Sequence, residues 1–447
     1  MPHIKIRKGH DLQISGLPDE TIHEKIKSET VAILPTDFRG IKPKLIVKEG
    51  DDVKIGSPLF FNKVNPDIKW GSPACGTVKT IEYGPRRIIQ KIEIQLNDLQ
   101  ESEKNKIYKK NEIIGLNRDV VIENILGANI FPFFRQRPFN TIPDPKVIPR
   151  DIFVSAINTA PLSFNQEIVI KENIENFQAG VDVLNTLTNG KVYLTSKPGS
   201  VVSSIQNVEL YTIDGPHPAG NVGIQIHHIS HLKPGENVWT INSQDLIAIG
   251  KLFLQGIYDP VRVITLAGPC VEKSSHFLVN TGAKISTITS GRLIESEKRI
   301  ISGDVLTGRV SSYDDFLSYY DYTISVISDE VKREFIGMLN PGSSSSRYSI
   351  TPVFLSLSKI LFPFNTSQNG SYRAVVPINA WERVLPMDIL PNELYRSILA
   401  KDIDEMEMLG LLECDEEDFA LCSFACPSKT DVSVVIREGL DILQAEG

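Results

Sequence analysis

Apolar and polar residues alternate along residues 47–96, and this alternation predicts a series of short strands. Gly50-Asp51 and Gly56-Ser57 supply tight turns in the first half of the segment. In the second half, one face of a predicted strand carries Lys91, Glu93 and Gln95, and the other carries Ile88, Gln90, Ile92, Ile94 and Leu96. Strands of this length and spacing are typical of a small β-barrel of the lipoyl or biotinyl type.

A barrel of this type that carries a cofactor needs a lysine at an exposed hairpin tip, tightly flanked by Asp and Ala or by two Met residues. The intervening stretch from residue 61 to 70 contains Lys63 and Lys69 but neither of these flanks. We therefore interpret Lys63 as a solvated turn lysine and the barrel as a scaffold. A carrier with a modified lysine is the alternative.

Beyond a polar stretch at 97–111, predicted as an exposed linker or a first helix, strand-like and helix-like patterns alternate as far as residue 266. Such alternation is typical of a mostly parallel sheet covered by helices. In chain order the predicted elements are a strand at 152–154, a helix near 177–187, strands at 192–194, 208–211 and 238–241, a helix at 244–253 and a strand at 261–264.

The last part of the chain changes character twice. Residues 263–310 are rich in strand patterns and punctuated by glycine, and their number suits a β-grasp module. Strand patterns then fade, and Gly342 with the following serines predicts a flexible loop. The clearest helix is the last one, because its apolar residues fall on one face: Val432, Val435, Ile436, Leu440 and Leu443.

The predicted fold class is therefore multidomain, combining α+β and α/β parts. We expect an N-terminal strand with a lipoyl/biotinyl-like β-barrel, or barrel-sandwich hybrid, followed by a Rossmann-like α/β domain, a β-grasp domain and a helical C-terminal domain. The predicted bounds are 1–100, 101–256, 257–330 and 331–447.

Composition narrows the class of protein. A chain of 447 residues is long enough for about three to four domains. Its net charge of -8 argues against a nucleic-acid-binding surface. No apolar run approaches the roughly 18 residues of a membrane span and no signal peptide opens the chain, so we expect a soluble, cytoplasmic protein. The five cysteines suggest no disulfide framework.

Two motifs resemble cofactor sites only in outline. The loop from Asp214 to Gly223 follows a predicted strand, but its glycine spacing differs from G-x-G-x-x-G, so a structural turn is favoured over a dinucleotide site. Histidines cluster nearby, but residues 222–228 alternate like a strand, which would place His227 and His228 on opposite faces. A metal site at His217, His227, His228 and His231 is therefore not favoured.

The C-terminal cysteines and the acids beside them offer a further candidate. Cys414, Cys422 and Cys426 lack the C-x2-C-x2-C spacing of an iron–sulfur site. The acidic run from Glu413 to Asp418 predicts a solvated helix start or a docking patch.

One segment combines aromatic rings with guanidinium groups. A quinone needs an apolar slot for its ring and donors for its oxygens, which phenylalanine and arginine supply together. The alternative is a buried crossing between domains, pinned by arginine salt bridges, and the residues alone do not separate the two. The candidates are Phe131, Phe133, Phe134, Arg135 and Arg137. Phe38 and Arg39 form a second, shorter combination of the same residue types.

Seven distinctive segments are distributed from one end of the chain to the other: 4–9 (IKIRKG), 135–139 (RQRPF), 214–220 (DGPHPAG), 250–254 (GKLFL), 266–269 (LAGP), 301–308 (ISGDVLTG) and 416–422 (EEDFALC). This collinear set resembles the NqrA family of subunits of the sodium-translocating NADH:quinone reductase. That family is similar in architecture to the flavin- and NADH-binding subunit of respiratory complex I, including a soluble-ligand-binding β-grasp.

The resemblance implies a peripheral subunit on the cytoplasmic face of the bacterial inner membrane, with five partner subunits that pass electrons from NADH to ubiquinone and export sodium. It implies no covalent cofactor, flavin, iron–sulfur centre or metal, and ubiquinone as a possible ligand. We expect Phe38, Arg39, Phe131, Phe133, Phe134, Arg135 and Arg137 to face the quinone or an adjacent partner. The alternatives are a dehydrogenase subunit that binds flavin or nucleotide, and a lipoyl or biotinyl carrier.

Overall fold

A computed structural model describes residues 1–331, 348–350 and 360–446. The loop predicted at 342–346 lies outside these residues. The N-terminal strands are β1 (His3–Lys5), β2 (Ile22–Lys25), β3 (Thr30–Ile33), β4 (Pro43–Leu45), β5 (Asp52–Val53), β6 (Pro58–Asn62), β7 (Lys69–Gly71), β8 (Gly76–Tyr83) and β9 (Ile89–Leu96).

The barrel consists of two small sheets, one of four strands in the order β3-β9-β8-β5 and one of three in the order β4-β6-β7. The β8–β9 ladder shifts register beside Gln90, and such a bulge turns the neighbouring side chains to the opposite face. Ile89 is consequently buried, whereas Ile88 is 50% exposed. The prediction that Ile88 shares a face with Ile92 and Ile94 is therefore wrong, because Ile92 and Ile94 are buried.

The α/β part follows as α1 (Lys110–Ile113), α2 (Arg118–Gly127), β10 (Arg135–Arg137), β11 (Ile152–Ser155), α3 (Gln166–Glu172), α4 (Ile174–Asn185), β12 (Val192–Ser196), β13 (Glu209–Asp214), α5 (Val222–Ser230), β14 (Val238–Asn242) and α6 (Ser243–Gln255). Its sheet has the order β1-β13-β12-β11-β14-β10, and only β10 runs antiparallel to its neighbour. The first strand, predicted as part of the barrel domain, therefore forms an edge of this sheet.

Two glycines let helices α4 and α6 approach each other closely on this sheet. A Cβ atom on Gly250 would lie 1.8 Å from the Asn176 carbonyl oxygen, and one on Gly180 would lie 2.5 Å from the Leu246 carbonyl oxygen. Larger side chains at either position would force the two helices apart.

A second six-stranded sheet comprises β2 and five later strands: β15 (Val261–Ala267), β16 (Ser275–Asn280), β17 (Lys298–Ser302), β18 (Arg309–Ser311) and β19 (Thr323–Ser328). Helix α7 (Ile285–Thr289) lies between β16 and β17 in the chain. The strand order is β18-β17-β19-β15-β16-β2. The strand predicted at 261–264 belongs to this sheet, in keeping with the predicted bounds of 257–330, and not to the parallel sheet with which the alternating pattern had grouped it. The reason is that strand patterns alone do not identify the sheet in which a strand pairs.

The C-terminal part is helical, as predicted, with α8 (Pro391–Ala400), α9 (Ile403–Met408), α10 (Ala420–Ala425) and α11 (Val432–Glu446). The predicted apolar face of α11 is confirmed, because Val432, Ile436, Leu440 and Leu443 are buried. They share a core with Ile224 and other residues of the α/β part. Among the described residues, no helix has the length and apolar character needed to cross a membrane.

Candidate functional site

The phenylalanines of segment 131–134 lie inside the protein. Phe131, Phe133 and Phe134 are at most 2% exposed. The ring centroids of Phe131 and Phe134 lie 5.8 and 5.3 Å from that of Trp239 in β14. Phe133 instead contacts Tyr319, at 6.2 Å between ring centroids. These rings therefore join the parallel sheet to the loop that precedes β19.

Phe38 reaches the same aromatic cluster from the barrel. Its ring centroid lies 4.9 Å from that of Tyr319 and 5.0 Å from that of Trp70 in β7. The structure thus brings Phe38 and Phe133 onto one tyrosine, although they are far apart in sequence. The contact between Phe38 and Tyr319 is edge-to-face, and contacts of this kind stabilise the packing beyond the buried area alone.

Arg135 lies at the border of this cluster and is partly exposed. Its guanidinium carbon lies 4.5 Å from the Tyr320 ring centroid, which is a cation–π contact. The Tyr320 hydroxyl donates a hydrogen bond of 2.8 Å to the Pro132 carbonyl oxygen. The tyrosine therefore holds both the segment and its arginine in place.

Arg137 is buried and forms two ion pairs with the C-terminal part of the chain. Its Nη1 lies 2.7 Å from Asp415 Oδ2, and its Nη2 lies 2.6 Å from Glu417 Oε1. Burial alone would lower the pKa of Arg137, but the surrounding acids, including Asp418, raise it above its ordinary value. The side chain is therefore a fixed cation.

Arg39 and Arg437 bind the same acidic turn from two other elements. Arg39 Nη1 donates a hydrogen bond of 2.7 Å to Glu416 Oε2, and Arg437 Nη1 lies 3.4 Å from the same oxygen. Arg437 also donates to the Phe139 carbonyl oxygen at 3.0 Å. Burial lowers the pKa of Arg39 to about 10, an effect that Asp415 opposes and that neighbouring arginines reinforce.

We call this set the arginine–carboxylate junction: Arg39, Arg137 and Arg437 with Asp415, Glu416 and Glu417. It connects the barrel, the parallel sheet and helix α11. The chemistry that it offers is ion pairing, and its geometry matches the interdomain crossing that the sequence left open as an alternative.

The acidic turn differs from its prediction. Asp415 and Asp418 are 1% and 0% exposed, so the expectation of a solvated helix start is wrong. The turn does begin a short 3-10 helix, Glu416–Phe419, in which the side chains of Asp415 and Asp418 each accept a backbone hydrogen bond. Arg39, Arg137 and Arg437 neutralise the buried Asp415. Burial raises the pKa of Asp418 and so favours its uncharged form.

The histidine segment 222–228 is helix α5 and not a strand. Ile224, Gln225 and Ile226 are all buried, because the helix lies between the sheet and the C-terminal helices. Burial on both sides removes the helical period from the apolar pattern, which explains the wrong prediction. His227 Nδ1 donates to Glu413 Oε2 at 2.9 Å, and His228 Nε2 donates to the Pro386 carbonyl oxygen at 2.7 Å.

The loop between β13 and α5, together with the first turn of α5, packs closely against other parts of the chain. A Cβ atom on Gly220 would lie 2.5 Å from the Thr159 amide nitrogen, and one on Gly223 would lie 2.1 Å from Asp418 Oδ2. His217 is buried beside Thr159, and burial lowers its pKa. The glycines therefore serve close packing at the carboxyl edge of the sheet, where nucleotides bind in related architectures.

Metal-binding geometry is not found in the part of the chain that the structure describes, since no three His, Cys, Asp or Glu side chains are grouped to hold an ion. Cys414, Cys422 and Cys426 are buried free thiols. Burial raises the pKa of Cys414 and Cys422, which keeps both as neutral thiols.

Sequence reasoning missed Arg437 and the tyrosines 319, 320 and 322. Arg437 occupies the polar side of α11, where a solvated cation is the ordinary expectation. The run from Tyr319 to Tyr322 is the one local signal that could have been followed, because clustered tyrosines favour half-buried positions with a partner for each hydroxyl.

Comparison with known proteins identifies the family. Family models described as the NqrA N-terminal barrel-sandwich hybrid domain, the NqrA second alpha/beta domain and the NQRA C-terminal domain match residues 4–97, 116–258 and 263–312. The NqrA subunit of the Na(+)-translocating NADH-quinone reductase from Glaesserella parasuis serovar 5 is 40% identical over 450 residues, covering 99% of this chain and 100% of the relative. The chain belongs to the NqrA family.

Other NqrA relatives show the same extent of similarity. The subunit from Neisseria meningitidis serogroup C is 40% identical and that from Saccharophagus degradans 39% identical, each over 449 residues that cover 99% of this chain and 100% of the relative. The barrel-sandwich hybrid and the α/β domain are thereby confirmed, and the β-grasp assignment stays a prediction. A match to a crystal structure of a NAD+-reducing nickel–iron hydrogenase covers 76% of this chain and 64% of the hydrogenase chain, with a TM-score of 0.40 and 11% sequence identity. A similarity this low supports no inference about function.

Proposed function

We propose that this NqrA-family chain is a peripheral subunit of a Na+-translocating NADH-quinone reductase. We propose that it has five partner subunits, which hold it at the cytoplasmic face of the membrane. The observation that carries the proposal is the identity of about 40% along the whole length of relatives that are named as this subunit. Similarity that spans every described element favours the same place in the same kind of complex.

We also propose that the chain contributes no flavin, iron–sulfur centre or metal to that complex. The packing at the carboxyl edge of the parallel sheet supports this view. Gly220 and Gly223, which in a nucleotide site would leave room for phosphate, face Thr159 and Asp418 at distances that an added Cβ would violate. A ligand phosphate would have to displace the protein's own atoms there.

The ubiquinone role is proposed for the exposed border of the aromatic cluster. Arg39, whose side chain is 34% exposed, and the partly exposed Arg135 reach the surface, whereas Phe38, Phe133 and Arg137 are buried beneath them. A guanidinium group can donate hydrogen bonds to a quinone carbonyl oxygen. The buried rings then act by fixing the position of the arginines.

The test compares Arg135→Gln with Arg396→Gln, an exposed arginine of helix α8 that serves as the matched control. Each variant is assembled into the complete complex, and quinone reduction is measured beside NADH oxidation with an artificial acceptor. Loss of one charge-assisted hydrogen bond, about 1.5–3 kcal/mol, should raise the quinone KM roughly tenfold or more. The artificial acceptor reaction should not change.

An unchanged quinone KM for Arg135→Gln would contradict the quinone role but not membership of the complex, which co-purification measures separately. An absorption spectrum of the isolated chain tests the cofactor proposal. Stoichiometric flavin in that spectrum would favour a dehydrogenase subunit, and an added lipoyl or biotinyl mass on Lys63 would favour a carrier.

A further inference from the structure

The outer face of the three-stranded barrel sheet carries an ordered row of side chains. Lys44 in β4 pairs with Phe61 in β6, and Phe61 pairs with Lys69 in β7, so these three side chains cross the sheet side by side. The Lys44 ammonium lies 5.6 Å from the Phe61 ring centroid. Successive strand residues point to opposite faces, so the next row points inward.

That inward row holds the outer row rigid. Leu45, Phe60 and Trp70 form it, and Phe60 and Trp70 are 0% and 1% exposed. Their rings stack at 4.6 Å between centroids with an interplanar angle of 12°. The outer side chains are therefore presented by a fixed platform, and their positions do not depend on a loop.

Further lysines extend this row. Lys42 lies two residues before Lys44 on the same side of the chain, and the Lys63 amide donates to the Lys42 carbonyl oxygen at 2.8 Å. Both side chains are exposed. We call Lys42, Lys44, Lys63 and Lys69, with Phe61 at the centre, the lysine face.

Within the described residues, the four lysines of this face form no ion pair, whereas Lys54, Lys79 and Lys91 elsewhere on the barrel are all paired with acids. Asp67 lies in the same turn as Lys63, and Asp144 lies at the rim, 3.2 Å from Asn65. The face retains a net positive charge in a chain whose net charge is -8. Such an imbalance indicates a negatively charged partner.

The type of cation and its apolar neighbours narrow the partner. Lysine is a strongly hydrated point charge that suits a diffuse negative surface, whereas bidentate recognition of a carboxylate or phosphate favours arginine. The turn beside Lys63 exposes 68% of Val64, and the strand end beside Lys44 exposes 45% of Ile46. Exposed aliphatic groups among lysines are typical of surfaces that meet lipid headgroups and the adjoining acyl region.

We propose that the lysine face lies against the anionic lipid headgroups of the bilayer. This inference rests on the proposed function, which brings the chain to the membrane through its partner subunits, and it adds which side of the chain faces the lipid. The partner subunits provide the main attachment, and the lysine face sets the orientation.

The test is co-sedimentation of the full-length chain with vesicles of phosphatidylglycerol or of phosphatidylcholine alone. Binding is expected only to phosphatidylglycerol, and it should disappear at high salt because the Debye length falls from about 10 Å at 0.1 M to about 3 Å at 1 M. Each lysine near an anionic surface contributes roughly fivefold to the binding constant, so Lys44→Gln/Lys69→Gln should weaken it about 25-fold.

Lys197→Gln/Lys233→Gln is the matched control, because it removes two exposed lysines from the α/β part. This control should bind phosphatidylglycerol vesicles as the unchanged chain does. Equal binding by the lysine-face variant, or equal binding to both lipids, would overturn the inference. The inference would also be overturned if the unchanged chain did not bind vesicles and the lysine-face variant no longer co-purified with the partner subunits. The lysine face would then bind an acidic protein surface.

Co-purification with the membrane subunits separates this inference from the proposed function. Failure of the unchanged chain to co-purify would refute the proposed function, whatever the vesicles show. Co-purification of the lysine-face variant with undiminished vesicle binding would refute the lipid contact alone.

Discussion

Arg39 and Arg137 bind the same acidic turn, but they differ in their exposure to water. The Arg137 side chain is 5% exposed and that of its partner Asp415 is 1% exposed, whereas the Arg39 side chain is 34% exposed. Solvent and salt screen an exposed ion pair, and they screen a buried one far less. The two arginines should therefore contribute unequally to stability.

Replacing Arg137 with Ala should destabilise the protein by about 3–5 kcal/mol, because Asp415 would remain buried without its main cation. Replacing Arg39 with Ala should cost about 0–1 kcal/mol, as expected for a partly exposed pair. Urea unfolding of both variants measures the difference directly. Equal losses would show that exposure does not decide the strength of these pairs.

Helix α5 connects the parallel sheet to the C-terminal helices, and its first turn has little space. Gly223 faces the carboxylate of Asp418, and the Asn221 side chain donates to the Glu417 carbonyl oxygen at 3.1 Å. At its other end, His227 and His228 bind the segment around residues 386–388 and Glu413. The helix therefore contacts the C-terminal part along its whole length.

Gly223→Ala should destabilise the chain by about 1–3 kcal/mol, because the added Cβ would lie 2.1 Å from Asp418 Oδ2. Gly127→Ala at the end of helix α2 is the control, since a Cβ there meets nothing within 4 Å and alanine favours helix. Hydrogen exchange should rise in α10 and α11 for the first variant only. Unchanged exchange there would mean that the turn can shift without cost.

Elements with one buried face could be predicted from the sequence, and elements buried on both faces could not. The apolar residues of α11 follow the helical period because its other face meets solvent. Helix α5 shows no such period, since Ile224 and Ile226 face different neighbours. The bulge at Gln90 has no signal of its own in the alternation, so the face of Ile88 was predicted wrongly.

Three parts of the molecule meet around residues 318–321, and no local pattern predicts such a meeting. Asp37 of the barrel accepts a hydrogen bond of 2.9 Å from the Tyr319 amide, and Ser302 of β17 donates to Asp321. The ion pair between Arg137 and Glu417 likewise spans 280 residues. Hydrophobic periodicity reports neighbours within about one element, so the aromatic–arginine segment could be found but its partners could not.

This meeting point should make the stability of the whole molecule depend on pH. Burial, and then the nearby charges of Asp37 and Asp304, raise the pKa of Asp321 from 3.8 to about 6. Between these values the folded chain binds more protons than the unfolded one. The resulting stabilisation is fully present below 3.8 and is lost as the pH rises through about 6.

Asp321→Asn cannot titrate, so the stability of the unchanged chain relative to this variant should be about 1 kcal/mol greater at pH 5 than at pH 7.5. Urea unfolding at both pH values measures that difference, with Asp98→Asn, an exposed acid of the barrel linker, as the control that should follow the unchanged chain. An identical difference at the two pH values would mean that Asp321 keeps its ordinary pKa. Burial also raises the pKa of Asp37, which the barrel contributes to this group. Asp37→Asn should therefore reduce the pH dependence as well, because it removes both the titration of Asp37 and its charge beside Asp321.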